Sequence, residues 1–86
     1  MTAEEAKTAI SGFAAANRIR FSSHARARMT QRSITYQDIR STLVTSTACV
    51  AGSDADRWVV TGVDLDGEET EVVCAVEEGV VVITVF

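Results

Sequence analysis

Apolar positions recur at helical spacing through the first half of the chain and change to strand-like alternation after Thr45. Ala6, Ala9, Ile10 and Phe13 fall three or four apart, which predicts an amphipathic helix over 3–16. Thr2 with Glu5 has the capping-box form at its start, and Gly12 is its one weak position. Ser22 or Ser23 can cap a second helix over 23–32. In it Ala25 and Met29 repeat at i, i+4 and face the core, while Arg28 and Arg32 face away. Ser33 interrupts this helix, and Thr35 with Asp38 opens a third over 35–44. Between the first two helices, Ile19-Arg20-Phe21 alternates and reads as a short extended link.

Strands follow near 46–51, 57–64, 69–77 and 79–86, the first of them the weakest. Asp66-Gly67 between apolar runs signals a hairpin, because glycine readily takes positive φ. Glu77-Glu78-Gly79 joins the last two strands. Val80 to Phe86 is apolar at nearly every position, which suits a central strand covered on both faces. Helices followed by an antiparallel meander predict an α+β domain of two layers. Neither a repeat nor a linker divides residues 1–86, so one domain is expected.

A chain of 86 residues buries only about 60–65% of its unfolded surface, so it has little stability to spare. No apolar run approaches the roughly 18 residues of a membrane span, which argues against a membrane partner. The acidic start Glu4-Glu5 does not resemble a secretory signal, so a cytoplasmic protein is expected. Cys49 and Cys74 then read as buried thiols, or as a disulfide if their strands are neighbours. Charge is divided along the chain. Residues 18–40 hold six arginines against Asp38 alone, a local +5, while the remainder carries −9 and the whole −4. The basic patch suits an anionic partner, and the acidic remainder opposes long-range steering toward nucleic acid.

The candidate chemistry lies in Ser22 to Arg32, which contains the only histidine. His24, Arg28 and Arg32 stand at i, i+4 and i+8 and share a helix face. An imidazole beside permanent guanidinium charge can hold an anion and exchange protons with it. Two alternatives stay open: His24 orients the helix start, and Arg28 with Arg32 pairs with Asp64, Asp66, Glu69 or Glu71 on the sheet. Arg26 and Arg20 read as solvated surface charges. Asp64 and Asp66 lack the later ligands of a calcium loop, and no His/Asp/Glu set has metal-ligand spacing, so no cofactor is expected.

The string Ser22/Ser23-His24-Ala25…Arg28-Met29…Arg32…Ile34 resembles a family of small bacterial domains of unassigned function. The likeness continues through Asp38-Ile39, Trp58-Val59-Val60, Asp64-Leu65-Asp66-Gly67 and Val82-Ile83-Thr84-Val85, and covers about residues 20–86. Here Ser33 stands where the family commonly has glycine. In layout the family is similar to the RelE and BrnT ribonuclease toxins. That resemblance implies RNA as the partner, bound by Arg26, Arg28 and Arg32. It also implies metal-independent cleavage with His24 and Arg28 as catalytic residues. The rival expectation is a non-catalytic module whose arginine face docks an acidic protein, with homo-oligomerisation left open.

Overall fold

In a computed structural model describing all 86 residues, α1 (Ala3–Ala15), β1 (Ile19–Phe21), α2 (Ser23–Arg32) and α3 (Tyr36–Thr45) precede β2 (Ala48–Ala51), β3 (Trp58–Val63), β4 (Glu69–Val76) and β5 (Val80–Val85). The expected helix signals are realised at both capping boxes. Thr2 Oγ1 accepts from Glu5 N at 3.2 Å while Glu5 Oε1 accepts from Thr2 N at 2.8 Å. Thr35 and Asp38 repeat the exchange at α3. These bonds hold the Glu5 and Asp38 carboxyls below the usual carboxylate range, with the backbone N–H of the cap as the largest cause in each.

The sheet order is β1-β5-β4-β3-β2. β2 to β5 form the expected antiparallel meander, but the sheet is mixed, because β1 pairs parallel with β5 at Ile19↔Val80 and Phe21↔Val82. The supposed link at Ile19–Phe21 is therefore an edge strand. Val80 N donates to Arg18 O and Ser22 N donates to Val82 O, both at 2.9 Å. α2 and α3 then lead the chain across the sheet to the opposite edge. β2 begins at Ala48, two residues later than expected, and is mostly exposed.

All three helices pack on one face. Ala6, Ile10 and Ala14 of α1, Ala25 of α2 and Ile39 with Leu43 of α3 form one core with Val60, Val72, Cys74, Val80, Val82 and Val85. β5 is central, yet it is covered on one face only: Val81, Ile83 and Thr84 remain half-exposed on the other. The expectation of two covered faces fails because α1, α2 and α3 all pack on the same face of the sheet. A β-bulge between β4 and β5 at Val73/Cys74 explains its continuous apolar sequence. Cys74 opposes Val82 and Val73 opposes Thr84, so Ile83 is the extra residue, and Val82 and Val85 both turn inward three positions apart.

Cys49 and Cys74 are free. They sit on β2 and β4 with β3 between them, so the neighbouring-strand condition for a disulfide is not met. Asp64 makes the expected β3–β4 turn: its Oδ1 accepts from Asp66 N and Glu68 N at 2.9 Å, and Gly67 takes φ 80°. No group of three His, Cys, Asp or Glu side chains is placed to hold a metal ion. No helix is long and apolar enough to cross a membrane.

Candidate functional site

Ser22 fixes the start of α2 and ties it to the sheet. Its Oγ accepts from Ala25 N at 3.0 Å and donates to Ile83 O at 2.8 Å. Capping therefore belongs to Ser22, and His24 is exposed in the first turn without that duty. At the other end Ser33 adopts the left-handed conformation, φ 55° and ψ 38°, and Ile34 N returns to Met29 O at 2.9 Å. A residue with a Cβ thus occupies a position that glycine fills most readily. The turn swings Ile34 back toward the core and starts α3 beside α2.

Between these ends α2 presents two flanks. On one, His24 and Arg32 are exposed and Arg28 is half-buried, its Nε donating to Val85 O at 3.4 Å. This is the stripe expected from i, i+4 spacing. The pairing of Arg28 with a sheet carboxylate is replaced by a bond to a main-chain carbonyl. Arg18, Arg20 and Arg40 also donate to main-chain carbonyls, those of Glu78, Glu77 and Ala15. In each of these contacts the guanidinium group meets a neutral carbonyl rather than a carboxylate.

The other flank of α2 closes a groove of about 910 Å³ against β1 and the start of α3. Phe21, Met29, Ile34 and Tyr36 line it with Arg20 and Arg26, and its lining contains no carboxylate. The Arg26 guanidinium lies 5.9 Å from the Phe21 ring centroid, within cation–π range. Phe21 meets Tyr36 edge-on at 5.8 Å and 68°, and the Tyr36 hydroxyl reaches Asn17 Oδ1 at 3.4 Å. Arg20 belongs to the rim, with its head turned to Glu77 O at 2.7 Å. A second cavity, about 660 Å³ at the β2–β3 turn, is lined by Asp54, Asp56 and Glu77 with Arg57 and Trp58. These two cavities thus differ in sign, and the α2 groove can receive an anion with no carboxylate in its lining.

Of the residues singled out from the sequence, Arg26 lines the groove, whereas His24, Arg28 and Arg32 line neither cavity. Ala25 is fully buried as expected. Met29 is half-buried and shared between core and groove. Tyr36 is brought to Phe21 and the Arg26 flank, a juxtaposition that depends on the parallel β1–β5 pairing and leaves no local signal. Cys74 is no nucleophile: burial, with Cys49 nearby as a smaller cause, pushes its thiol up to about 12.

No curated protein matches this chain, and no solved structure matches it. Residues 21–86 match the family described as a domain of unknown function, DUF4258. The match runs from the last residue of β1 through β5, taking in α2 and the groove lining from Phe21 onward and leaving α1 outside. The chain belongs to the DUF4258 family.

Proposed function

We propose that this domain binds single-stranded RNA across α2, as a toxin-like domain of RelE/BrnT-like layout in a bacterial cytoplasm. The observation that carries the reading is the α2 groove, which joins Arg26 to aromatic and apolar walls and holds no carboxylate in a chain of net charge −4. Unstacked bases are recognised by stacking on aromatic rings and guanidinium planes while cations track the backbone. The Arg26–Phe21 pair offers such a plane, and Met29 with Tyr36 offers apolar wall beside it. Arg28 and Arg32 continue the positive charge around the helix to meet phosphates. Free thiols at Cys49 and Cys74 suit a reducing compartment.

In the catalytic version, cleavage is metal-independent. His24 moves a proton as general acid or base, and Arg28, one turn along, stabilises negative charge developing on the phosphate. Tyr36 faces the opposite flank, so His24 would work without it.

The test is an anisotropy titration of the unmutated protein with a short single-stranded RNA. Binding should fall with salt, and removing one phosphate-contacting arginine should lower the log–log slope by about 0.7. Arg26→Ala, Arg28→Ala and Arg32→Ala should each weaken binding without unfolding the domain. His24→Ala should leave binding nearly intact and reduce any cleavage by about 10²–10⁴-fold. A titration that stays flat to about 10⁻⁴ M would retire the RNA reading.

One observation favours a second reading, a non-catalytic module for an acidic protein. Arg18 O and Ser22 N are bonded to β5, so by strand alternation the main-chain groups of Ile19 and Phe21 point to the open edge of the sheet. An extended acidic segment could pair there beside the groove. Loss of a protein partner in the arginine variants, with no RNA affinity in the parent, would select this reading.

A further inference from the structure

The groove beside α2 is bordered by main chain as well as by side chains. Three consecutive residues of β1, Ile19, Arg20 and Phe21, line it, although side chains alternate along a strand. Ile19 and Phe21 pack against the core, and the Arg20 head is turned to Glu77 O. The β1 backbone itself therefore forms that wall. Arg18 O and Ser22 N bond to β5, so the N–H and C=O groups of Ile19 and Phe21 point away from it. β1 ends the sheet, and no further strand meets these groups. The rest of the lining includes Met29, Ile34 and Tyr36 with the cation of Arg26.

We propose that Ile19 O and Phe21 N–H bind the Watson–Crick edge of an unpaired nucleobase seated in the groove. The inference rests on the RNA reading above and adds which edge of the base is held. Ile19 O is an acceptor and Phe21 N–H a donor, and the two flank Arg20 on the same side of an extended strand. Every RNA base carries a matching couple on its Watson–Crick edge, a ring nitrogen beside an exocyclic nitrogen or oxygen. Adenine and cytosine present an amino donor and a ring acceptor. Uracil and guanine present a ring donor and a carbonyl acceptor. A base turned over in its plane exchanges the order of the two, so both kinds can meet one acceptor and one donor. The site therefore tolerates all four bases and rejects a base whose Watson–Crick edge is already engaged. Apolar wall against the base and Arg26 for the phosphate complete the fit.

Anisotropy titrations of the full chain with oligouridylate of about six nucleotides test it, beside oligomers of 3-methyluridine and 5-methyluridine of equal length. A methyl group on N3 removes the donor and fills the Watson–Crick edge without adding charge, whereas one on C5 leaves that edge free. The 5-methyl oligomer should bind within about twofold of oligouridylate, and the 3-methyl oligomer at least about tenfold more weakly. Amide hydrogen exchange locates the contact on the protein. The Phe21 amide should exchange freely alone, slow when oligouridylate binds and stay fast with the 3-methyl oligomer. The Ser22 amide, bonded to Val82 O, should be protected throughout. Phe21→Val keeps the N–H and loses the ring, and Phe21→Pro loses both, at a position where an edge strand tolerates proline. Preference for uridine over 3-methyluridine should survive in the first variant and vanish in the second. If the proline variant does not fold, the amide measurement decides. Equal binding of the 3-methyl oligomer, or a Phe21 amide unchanged at saturation, would overturn this inference and leave the RNA reading standing. Titrations flat to about 10⁻⁴ M with all three oligomers would overturn both, and leave the β1 edge to the peptide of the second reading.

Discussion

Ser33 holds a left-handed backbone at φ 55° with a side chain that makes the position strained. The left-handed region costs an L-residue about 1–2 kcal/mol, partly offset in comparison with glycine by the greater freedom of an unfolded glycine. Ser33→Gly should therefore raise unfolding stability by about 0.5–1 kcal/mol, measured by urea titration. A loss of stability would mean that the serine side chain stabilises the turn. Cys74 gives a second prediction, in pH. Its thiol in the folded protein is raised to about 12 from the ordinary 9.0, so the folded state keeps a proton that the unfolded state gives up. The stabilisation is complete below pH 9.0 and is lost as pH rises toward about 12. Between pH 8 and pH 10 the parent should lose about 1 kcal/mol more than Cys74→Ala does. Equal losses in the two proteins would assign the alkaline instability to other groups.

At the scale of elements, α3 lies closer to β3 than side chains normally allow, because Gly62 has none. A Cβ built at Gly62 would stand 2.0 Å from Thr42 O, which belongs to the helix backbone and cannot rotate away. The contact is reinforced by Ser41 Oγ donating to Val63 O at 2.9 Å and Thr45 Oγ1 accepting from Val63 N at 3.0 Å. Gly62→Ala should force α3 off the sheet and destabilise by about 1–3 kcal/mol or more, seen as a lowered thermal midpoint. A midpoint within 1 °C of the parent would show that the helix shifts freely. Such packing is not legible in a single glycine between valine and threonine. What was legible was local: the capping serine and threonines, the Asp66-Gly67 turn and the switch of period after Thr45 each act within a few residues. The parallel pairing of Ile19–Phe21 with Val80–Val82 joins segments far apart in sequence, and alternation over three residues does not specify a partner. The groove inherits that blindness. Arg26 was recognisable as a basic residue, but its place over Phe21 and beside Tyr36 follows only once β1 is a strand.

At the scale of the whole molecule, the family match and the folding unit have different boundaries. The match begins at Phe21, yet α1 supplies Ala6, Ile10 and Ala14 to the core, all fully buried. Arg40 from α3 also donates to Ala15 O at 3.0 Å, placing a cation at the C-terminal end of α1 where the helix dipole favours it. Removing residues 1–20 would expose the inner faces of α3 and the sheet and leave one residue of β1. For small domains the total stability is of order 5 kcal/mol, and burying one Ile side chain contributes about 1.5–3 kcal/mol of it. A chain restricted to 21–86 should therefore show no cooperative thermal transition by circular dichroism. Ile10→Ala in the full chain should keep a cooperative transition and lose about 2–5 kcal/mol, as large-to-small changes in a packed core do. The two measurements bear on the site as well, because no residue of α1 lines the groove. If α1 acts only through the core, Ile10→Ala should bind RNA as the parent does at temperatures where it is folded. A fully cooperative 21–86 fragment would show instead that α1 is an accessory to a core complete without it.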